Sequence, residues 1–261
     1  MFQVSGFRFQ VSGLRFKVSG LRFEVSGLRF LGGVVFLLFF VSNALAQQPE
    51  QQVKVIEINR CDSLIINSPL VPDAQRVIGD VEFEHDGMIM TCDSAYLYGQ
   101  TNTLDAFSRV HIRNADGSVT IDGDFAKYHG NIKFAEIWDN VVLVDSNAIL
   151  KTDHLYYDLN TEIAYYLTGG EIFDKTNNIV SELGHYHRNI DMFYFKNDVL
   201  LNTPDYTIVT DTLNYNVETE IAYFVGPTHI MNIENDTIYC ERGWYNTNDT
   251  VAFFRQNAWI K

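Results

Sequence analysis

Apolar and polar residues alternate one for one along most of the chain after residue 70. Val81 and Phe83 alternate with Glu82 and Glu84, and Val110 and Ile112 alternate with His111 and Arg113. A period of two puts successive side chains on opposite faces of a strand. Val, Ile, Tyr, Phe and Thr, which suit a half-buried pleated surface, dominate these runs. No convincing apolar period of 3.6 competes after residue 46. Turn-forming clusters punctuate the strands in two sets. One set contains Asp86-Gly87, Asn114 to Gly117 and Asp145 to Asn147; the other contains Gly99 to Asn102, Gly130-Asn131 and Asp158 to Thr161. Two turns per unit predict two strands per unit, and hence an antiparallel meander.

The units repeat. An acidic residue that follows a small one and precedes an aromatic recurs as Asp93, Asp124, Asp153, Glu182, Asp211 and Glu241, at intervals of 31, 29, 29, 29 and 30. A second series runs Leu104, Phe134, Ile163, Met192, Ile221 and Val251, and a third runs Val81, Val110, Val141, Glu171, Val199, Thr228 and Ala258. Three series locked to one period predict about six repeats of 29 to 31 residues. Three residues before the acidic position the side chain is apolar (Met90, Ile121, Leu150, Ile179, Ile208, Ile238), and four after it is aromatic or apolar (Leu97, Tyr128, Tyr157, Tyr186, Tyr215, Tyr245). The second position after it is small or apolar, as in Ala95, Ala126 and Leu155. Positions −3 and +2 are an odd distance apart, so a regular strand cannot turn both to one face. A bulge or corner at the acidic residue is expected, with each long strand giving its first half to one sheet and its second half to a facing one. Cys92, Gly123, Thr152, Ser181, Thr210 and Cys240, just before the corner, are small enough for such a bend. The fold class predicted is all-β, an extended two-walled antiparallel β-jelly roll.

The beginning of the chain differs. Residues 1–29 carry a seven-residue repeat, with Val-Ser-Gly at Val4, Val11, Val18 and Val25. A Gly in every repeat costs a helix about 1 kcal/mol each time, which argues against a coiled coil and for a low-complexity extension. Residues 30–46 hold the apolar run Phe30 to Val41 and then Ala44-Leu45-Ala46, the pattern of a signal peptide cleaved after Ala46. An uncleaved anchor is the alternative. Residues 47–261 would then be the exported domain. They carry 14 Lys+Arg against 32 Asp+Glu, a net charge of −18, which repels nucleic-acid phosphates. Cys61, Cys92 and Cys240 form an odd set without a C-x-x-C, consistent with one disulfide and a free thiol or with three thiols.

Catalytic readings fail in turn. His185 and His187 share a strand face near Glu182, but no spacing supplies a third metal ligand, and a solvent-facing pair is the simpler expectation. Six acidic residues in a regular ladder are structural, because glycoside hydrolysis needs two carboxylates tuned differently. There is no Gly-x-Ser-x-Gly, phosphate loop or dinucleotide fingerprint. The chain is expected to be a non-enzyme without cofactor or metal.

The units from Gly79 (GDVEFEHDGMIMTCDSAYLYGQTNTLDAF) and from Asp145 (DSNAILKTDHLYYDLNTEIAYYLTG) resemble OstA/LptA-type repeats of lipopolysaccharide transport proteins, particularly the OstA-like proteins of Bacteroidetes. The resemblance covers roughly Val53 to Lys261. It implies a V-shaped jelly roll that shields lipid acyl chains, stacks end to end and bridges the periplasm. The function it implies is periplasmic lipopolysaccharide binding and transport toward the outer membrane. Its partners would be lipopolysaccharide through lipid A, other jelly rolls of inner- and outer-membrane transport components, and further copies of itself head to tail. The groove would be lined by the inward series Val81, Phe83, Met90, Val110, Ile112, Ile121, Tyr128, Leu143, Leu150, Tyr157, Ile208 and Tyr215. Ala258, Trp259 and Ile260 read as an unprotected edge strand, an oligomer edge unless Val53 to Ile58 or a loop folds over it. The charge of −18 requires anionic headgroups to stay in solvent or be bridged by divalent cations. The alternatives are an exported structural or adhesive β-repeat protein without lipid cargo, and an outer-membrane assembly domain, which would need a barrel.

Overall fold

The computed structural model describes residues 54–66, 71–234 and 236–261, together with the backbone of two short strands near the start. The chain divides into two units, Met1–Gln52 and Val53–Lys261. In the first, β1 (Phe2–Val4) and β2 (Phe7–Phe9) pair antiparallel. Most of the heptapeptide extension, and all of the signal segment 30–46 with its cleavage site after Ala46, lie outside the described residues.

The second unit is all-β, as the alternation predicts. Its strands are β3 (Glu57–Arg60), β4 (Ser63–Ile65), β5 (Gln75–His85), β6 (Met88–Tyr98), β7 (Thr103–Arg113), β8 (Thr120–His129), β9 (Phe134–Val144), β10 (Ile149–Asp158), β11 (Ile163–Tyr166) and β12 (Gly170–Phe173). They continue as β13 (Asn178–Ser181), β14 (Leu183–His187), β15 (Met192–Asn202), β16 (Tyr206–Asn216), β17 (Ile221–Asn232), β18 (Thr237–Asn246), β19 (Ala252–Arg255) and β20 (Trp259–Ile260). A single 3-10 turn, Arg188–Ile190, interrupts them. Neighbours in sequence pair antiparallel from β5 to β10 and from β15 to β18. Between these blocks, β11 and β12 are halves of one broken strand along β10, and β13 and β14 are halves of the next along β15. The halves pair with each other, β11 with β14 and β12 with β13, which closes a local circuit of ladders around the break. No ladder among the described residues joins β3 or β4 to β19 or β20, so the meander has two free ends.

The expected corner occurs in every unit. Ladders shift register between Ile78 and Val81, between Phe107 and Val110, and between Val225 and Thr228. Asp93 faces two residues on either side, Gly79-Asp80 and Ser108-Arg109, because Cys92 pairs with Val81 and Ser94 pairs with both Ile78 and Phe107. The extra residue thus sits on the strands flanking the acidic one, which corrects the expected location of the bulge. Those flanking pairs are left-handed: Asp139 and Asn140 have φ of 62° and 55°, and Asn197 and Asp198 have 64° and 48°. Asp and Asn tolerate this region better than other residues with a Cβ.

Register also corrects two series. The residue equivalent to Val81, Val110 and Val141 is Gly170, opposite Ser181, and Glu171 next to it faces outward against Val180. Likewise Thr103 pairs with His129 as Phe134 pairs with Asp158, so Leu104 is one residue out of phase and points to the opposite face. A seventh acidic corner precedes the six: Cys61-Asp62-Ser63 repeats Cys92-Asp93-Ser94, and the Asp62 amide donates to Gly79 O at 2.9 Å. The segment after Val53 therefore enters the meander as β3 and β4 alongside β5, and does not fold over an edge.

Candidate functional site

Because each long strand turns at its corner, the meander makes two facing walls joined along a spine of corners. The first wall carries Val81, Phe83, Met90, Val110, Ile112, Ile121, Leu143, Leu150 and Ile208 inward, and the second carries Tyr128, Tyr157 and Tyr215 inward. All twelve predicted groove residues are buried, none more than 3% exposed. They belong to one continuous core cluster that runs from Ile56 to Tyr245. Across some fourteen strands at about 4.8 Å spacing this strip is roughly 60 Å long. Glu82, His111 and Arg113 project from the outer face, alternating with it.

The spine is held locally. Asn140 donates to Asp124 at 2.7 Å, Asn197 to Glu182 at 2.9 Å and Asn257 to Glu241 at 2.9 Å, while Arg109 pairs with Asp93 and, ahead of Ser108, holds its carboxyl below the usual range. At these four corners the acidic residue is a tie between neighbouring strands.

On the side away from the spine the two walls end in facing rows of turns, and this seam is closed by polar contacts from wall to wall. Tyr128 Oη lies 2.7 Å from His85 Nδ1, and Tyr186 Oη donates to Asp145 Oδ2 at 2.9 Å. Tyr215 donates to Asp174, and Asn177 Nδ2 donates to Tyr215 Oη at 3.1 Å and to Thr247 Oγ1 at 3.0 Å. Lys133 and Lys54 both bond Asp86, and their hydrogen bonds hold its carboxyl down to about 2. Arg188 is the hub, donating to Asp145 at 3.1 Å, Glu162 at 3.0 Å and Ser118 Oγ at 2.6 Å. Burial works against its charge, and Asp145, Glu162 and Asp116 outweigh that and raise its pKa. Burial likewise raises the interior phenols, Tyr157 and Tyr166 to about 12, so they remain hydrogen-bond donors at neutral pH.

The two-walled repeat agrees with the sequence comparison: the OstA-like protein family matches residues 53–211 and again 207–261. The chain belongs to the OstA-like family. The family is non-enzymatic, in line with the catalytic readings that failed. One solved structure similar to part of this OstA-like chain is that of LptH from Pseudomonas aeruginosa, described as the LptA homologous periplasmic component of the lipopolysaccharide transport device. It is 14% identical with a TM-score of 0.25, and the match covers 55% of this chain and 93% of that one. No curated protein matches the sequence.

The remaining sequence candidates resolve as follows. His185 is exposed and stacks on Tyr165 at 5.3 Å, His187 meets Tyr194 edge-on, and no metal-binding group of acidic, His and Cys residues occurs among the described residues. All three cysteines are free; burial raises the Cys92 thiol to about 11, which leaves it inert at neutral pH. Trp259 pairs with Tyr239 and stacks on it at 5.6 Å, while Ile260 is 77% exposed. Lys261 and Thr237 exchange both backbone bonds, so by antiparallel alternation the amides of Ala258 and Ile260 face away from β18. Sequence reasoning missed the seam altogether, because most of its partners lie 38 to 70 residues apart on opposite walls.

Proposed function

We propose that this OstA-like protein is an exported periplasmic carrier of lipopolysaccharide, holding lipid A acyl chains between its walls on the way to the outer membrane. Family membership supports the reading, and the uninterrupted apolar interior carries it. The exported part would be residues 47–261, released by cleavage after Ala46; N-terminal sequencing of the fractionated protein checks this. Each side chain that a cargo keeps from water is worth about 1.5 to 3 kcal/mol. Photo-crosslinkers at the twelve interior positions should capture lipopolysaccharide, and those at Glu82, His111 and Arg113 should not. Equal capture on both faces would end the carrier reading.

The partners we propose are other jelly rolls of the same kind, inner- and outer-membrane components and further copies included, joined head to tail through the edge at Ala258, Trp259 and Ile260. Outward amides and an exposed Ile260 suit strand addition, which would carry the interior strip across the junction. Ala258→Pro removes one outward donor and should weaken concentration-dependent association in sedimentation without unfolding the body. A second reading, an exported structural or adhesive repeat without cargo, is favoured by one observation: the interior is already filled by its own side chains. Native mass spectrometry of protein purified from its own cells separates the two.

A further inference from the structure

If a filled interior is to accept a chain, the walls must part, and the spine holds them covalently on one side. Entry is therefore through the seam, and the seam is not closed evenly. Tyr128, Tyr157, Tyr186 and Tyr215 are equivalent residues, each four positions after its acidic corner and each at most 3% exposed. Tyr128, Tyr186 and Tyr215 reach across to His85 at the end of β5 and to Asp145 and Asp174 on turns of the opposite wall. Tyr157 reaches nothing: its hydroxyl has no hydrogen-bond partner among the described residues. The residue that Asp145 and Asp174 predict for it, 41 positions back, is Asp116. That carboxylate is turned away, accepting from the Ser118 amide at 2.9 Å and from the Ser118 hydroxyl, with Arg188 3.9 Å off.

A cavity of ≈ 200 Å³ occupies the place of the missing contact. Tyr157, Tyr128, Met88 and His85 form its buried floor, drawn from both walls, and Ala115 and Asp116 stand at its mouth. We infer that this gap is the portal through which a single acyl chain enters between the walls, with the Tyr157 hydroxyl donating to the neutral ester or amide carbonyl at the head of that chain. The inference rests on the carrier reading. Asp86, Asp116 and Glu162 outnumber Lys133, the one lysine or arginine lining the gap, and disfavour a carboxylate there, whereas a carbonyl oxygen accepts the phenol proton without adding charge. The Tyr157 hydroxyl, unpaired among the described residues, gains a carbonyl partner when the chain binds.

The probe is a glycerol monoester of a pyrene-labelled fatty acid, with uptake followed by stopped-flow fluorescence on the purified protein. Tyr157→Phe should keep the melting temperature and weaken equilibrium binding between about twofold and tenfold, the usual worth of one hydrogen bond. A bulky maleimide attached after folding to Ala115→Cys, in a Cys61→Ser background, should slow uptake at least tenfold; Asp205→Cys labelled in the same way, on a turn far along the seam, should not. Equal rates for the two labelled proteins, or unchanged affinity in Tyr157→Phe, overturns the portal while leaving the carrier reading standing. Absence of any probe binding by the unlabelled protein overturns both.

Discussion

Along the spine four of the six acidic residues meet a partner 15 or 16 positions away, Asp93 with Arg109, Asp124 with Asn140, Glu182 with Asn197 and Glu241 with Asn257. Across the seam the separations are 41 for Tyr186 with Asp145, and 70 for both Arg188 with Ser118 and Asn177 with Thr247. A spine tie stays inside one pair of neighbouring strands and recurs at four of the six acidic corners. A seam tie joins strands of different units, and its chemistry ranges from a repeated tyrosine–aspartate pair to Arg188 with Ser118 and Asn177 with Thr247. Local ties cost little loop-closure entropy and form as the meander grows, whereas seam ties become available only after both walls exist. The walls are consequently fixed at one edge by the chain itself and at the other by side chains that can let go.

The comparison is tested most severely at Arg188. Asp145 has a side chain only 4% exposed and relies on Arg188 for its charge partner. Arg188→Ala leaves that carboxylate buried and unpaired, and breaking such a pair costs about 3 kcal/mol or more. The midpoint of chemical denaturation should fall accordingly. Arg188→Ala combined with Asp145→Asn should recover part of the loss, and no loss in the single variant would mean that the seam contributes nothing to holding the walls.

The spine side is tested at Gly184. In that unit Tyr166 takes the interior place held by Ile137 and Phe195 in neighbouring units, and Gly170 and Gly184 take the places of Val141 and Leu155. The Tyr166 ring lies over both glycines and its hydroxyl meets Ser181 Oγ at 2.6 Å; a Cβ on Gly184 would overlap the ring. Gly184→Ala should cost roughly 1 to 3 kcal/mol as an overpacked core. Adding Tyr166→Phe, which leaves the ring in place, should not rescue it, while adding Tyr166→Leu should.

Seam tyrosines provide a finer measure. Tyr215→Phe deprives Asp174 and Asn177 of their shared partner and should lower stability by about 1 kcal/mol. Tyr157→Phe removes a hydroxyl that bonds nothing among the described residues and should stay within about 0.5 kcal/mol of the unsubstituted protein. Equal effects from the two would erase the distinction between a latched and an unlatched position.

Strand periodicity, corner positions and the inward face were legible because each is written in every unit by residues close in sequence. The odd spacing between Met90 and Ala95 demanded a corner at Asp93, and one is there. Which strand carries the extra residue was not legible from that parity, since a two-against-one mismatch reads the same from either side; the Asp139-Asn140 and Asn197-Asp198 pairs were the available signal. Glu171 and Leu104 were misplaced by one residue because an apolar or aligned neighbour fits a period of 29 to 31 as well as the true position does, and only pairing fixes the face. Asp62 escaped because none of the four residues after it, Ser63 to Ile66, is aromatic, whereas every other corner is followed by an aromatic within four residues. Part of the seam carried a signal that went unread, since Tyr157, Tyr186 and Tyr215 each stand 41 residues after Asp116, Asp145 and Asp174, whereas nothing of the kind relates Arg188 to Ser118.

The smallest expected effect concerns acid. Hydrogen bonds from Lys133 and Lys54 hold Asp86 at about 2, below the usual 3.8 of a carboxyl in an unfolded chain. A depressed folded-state pKa gives stability that is fully present above the unfolded value and is lost as pH falls through the folded one, here between about 4 and 2. The Asp86 side chain is 28% exposed and both partners are more so, so screening keeps the contribution under about 1 kcal/mol. Thermal melts of the unsubstituted protein and of Asp86→Asn should differ at pH 5 and converge near pH 2. Asp93 and Asp116 are lowered as well and remain in both proteins, so the difference between the two curves isolates Asp86. If the curves run parallel from pH 5 to 2, the two lysines hold the seam at Asp86 through packing of their stems and not through charge.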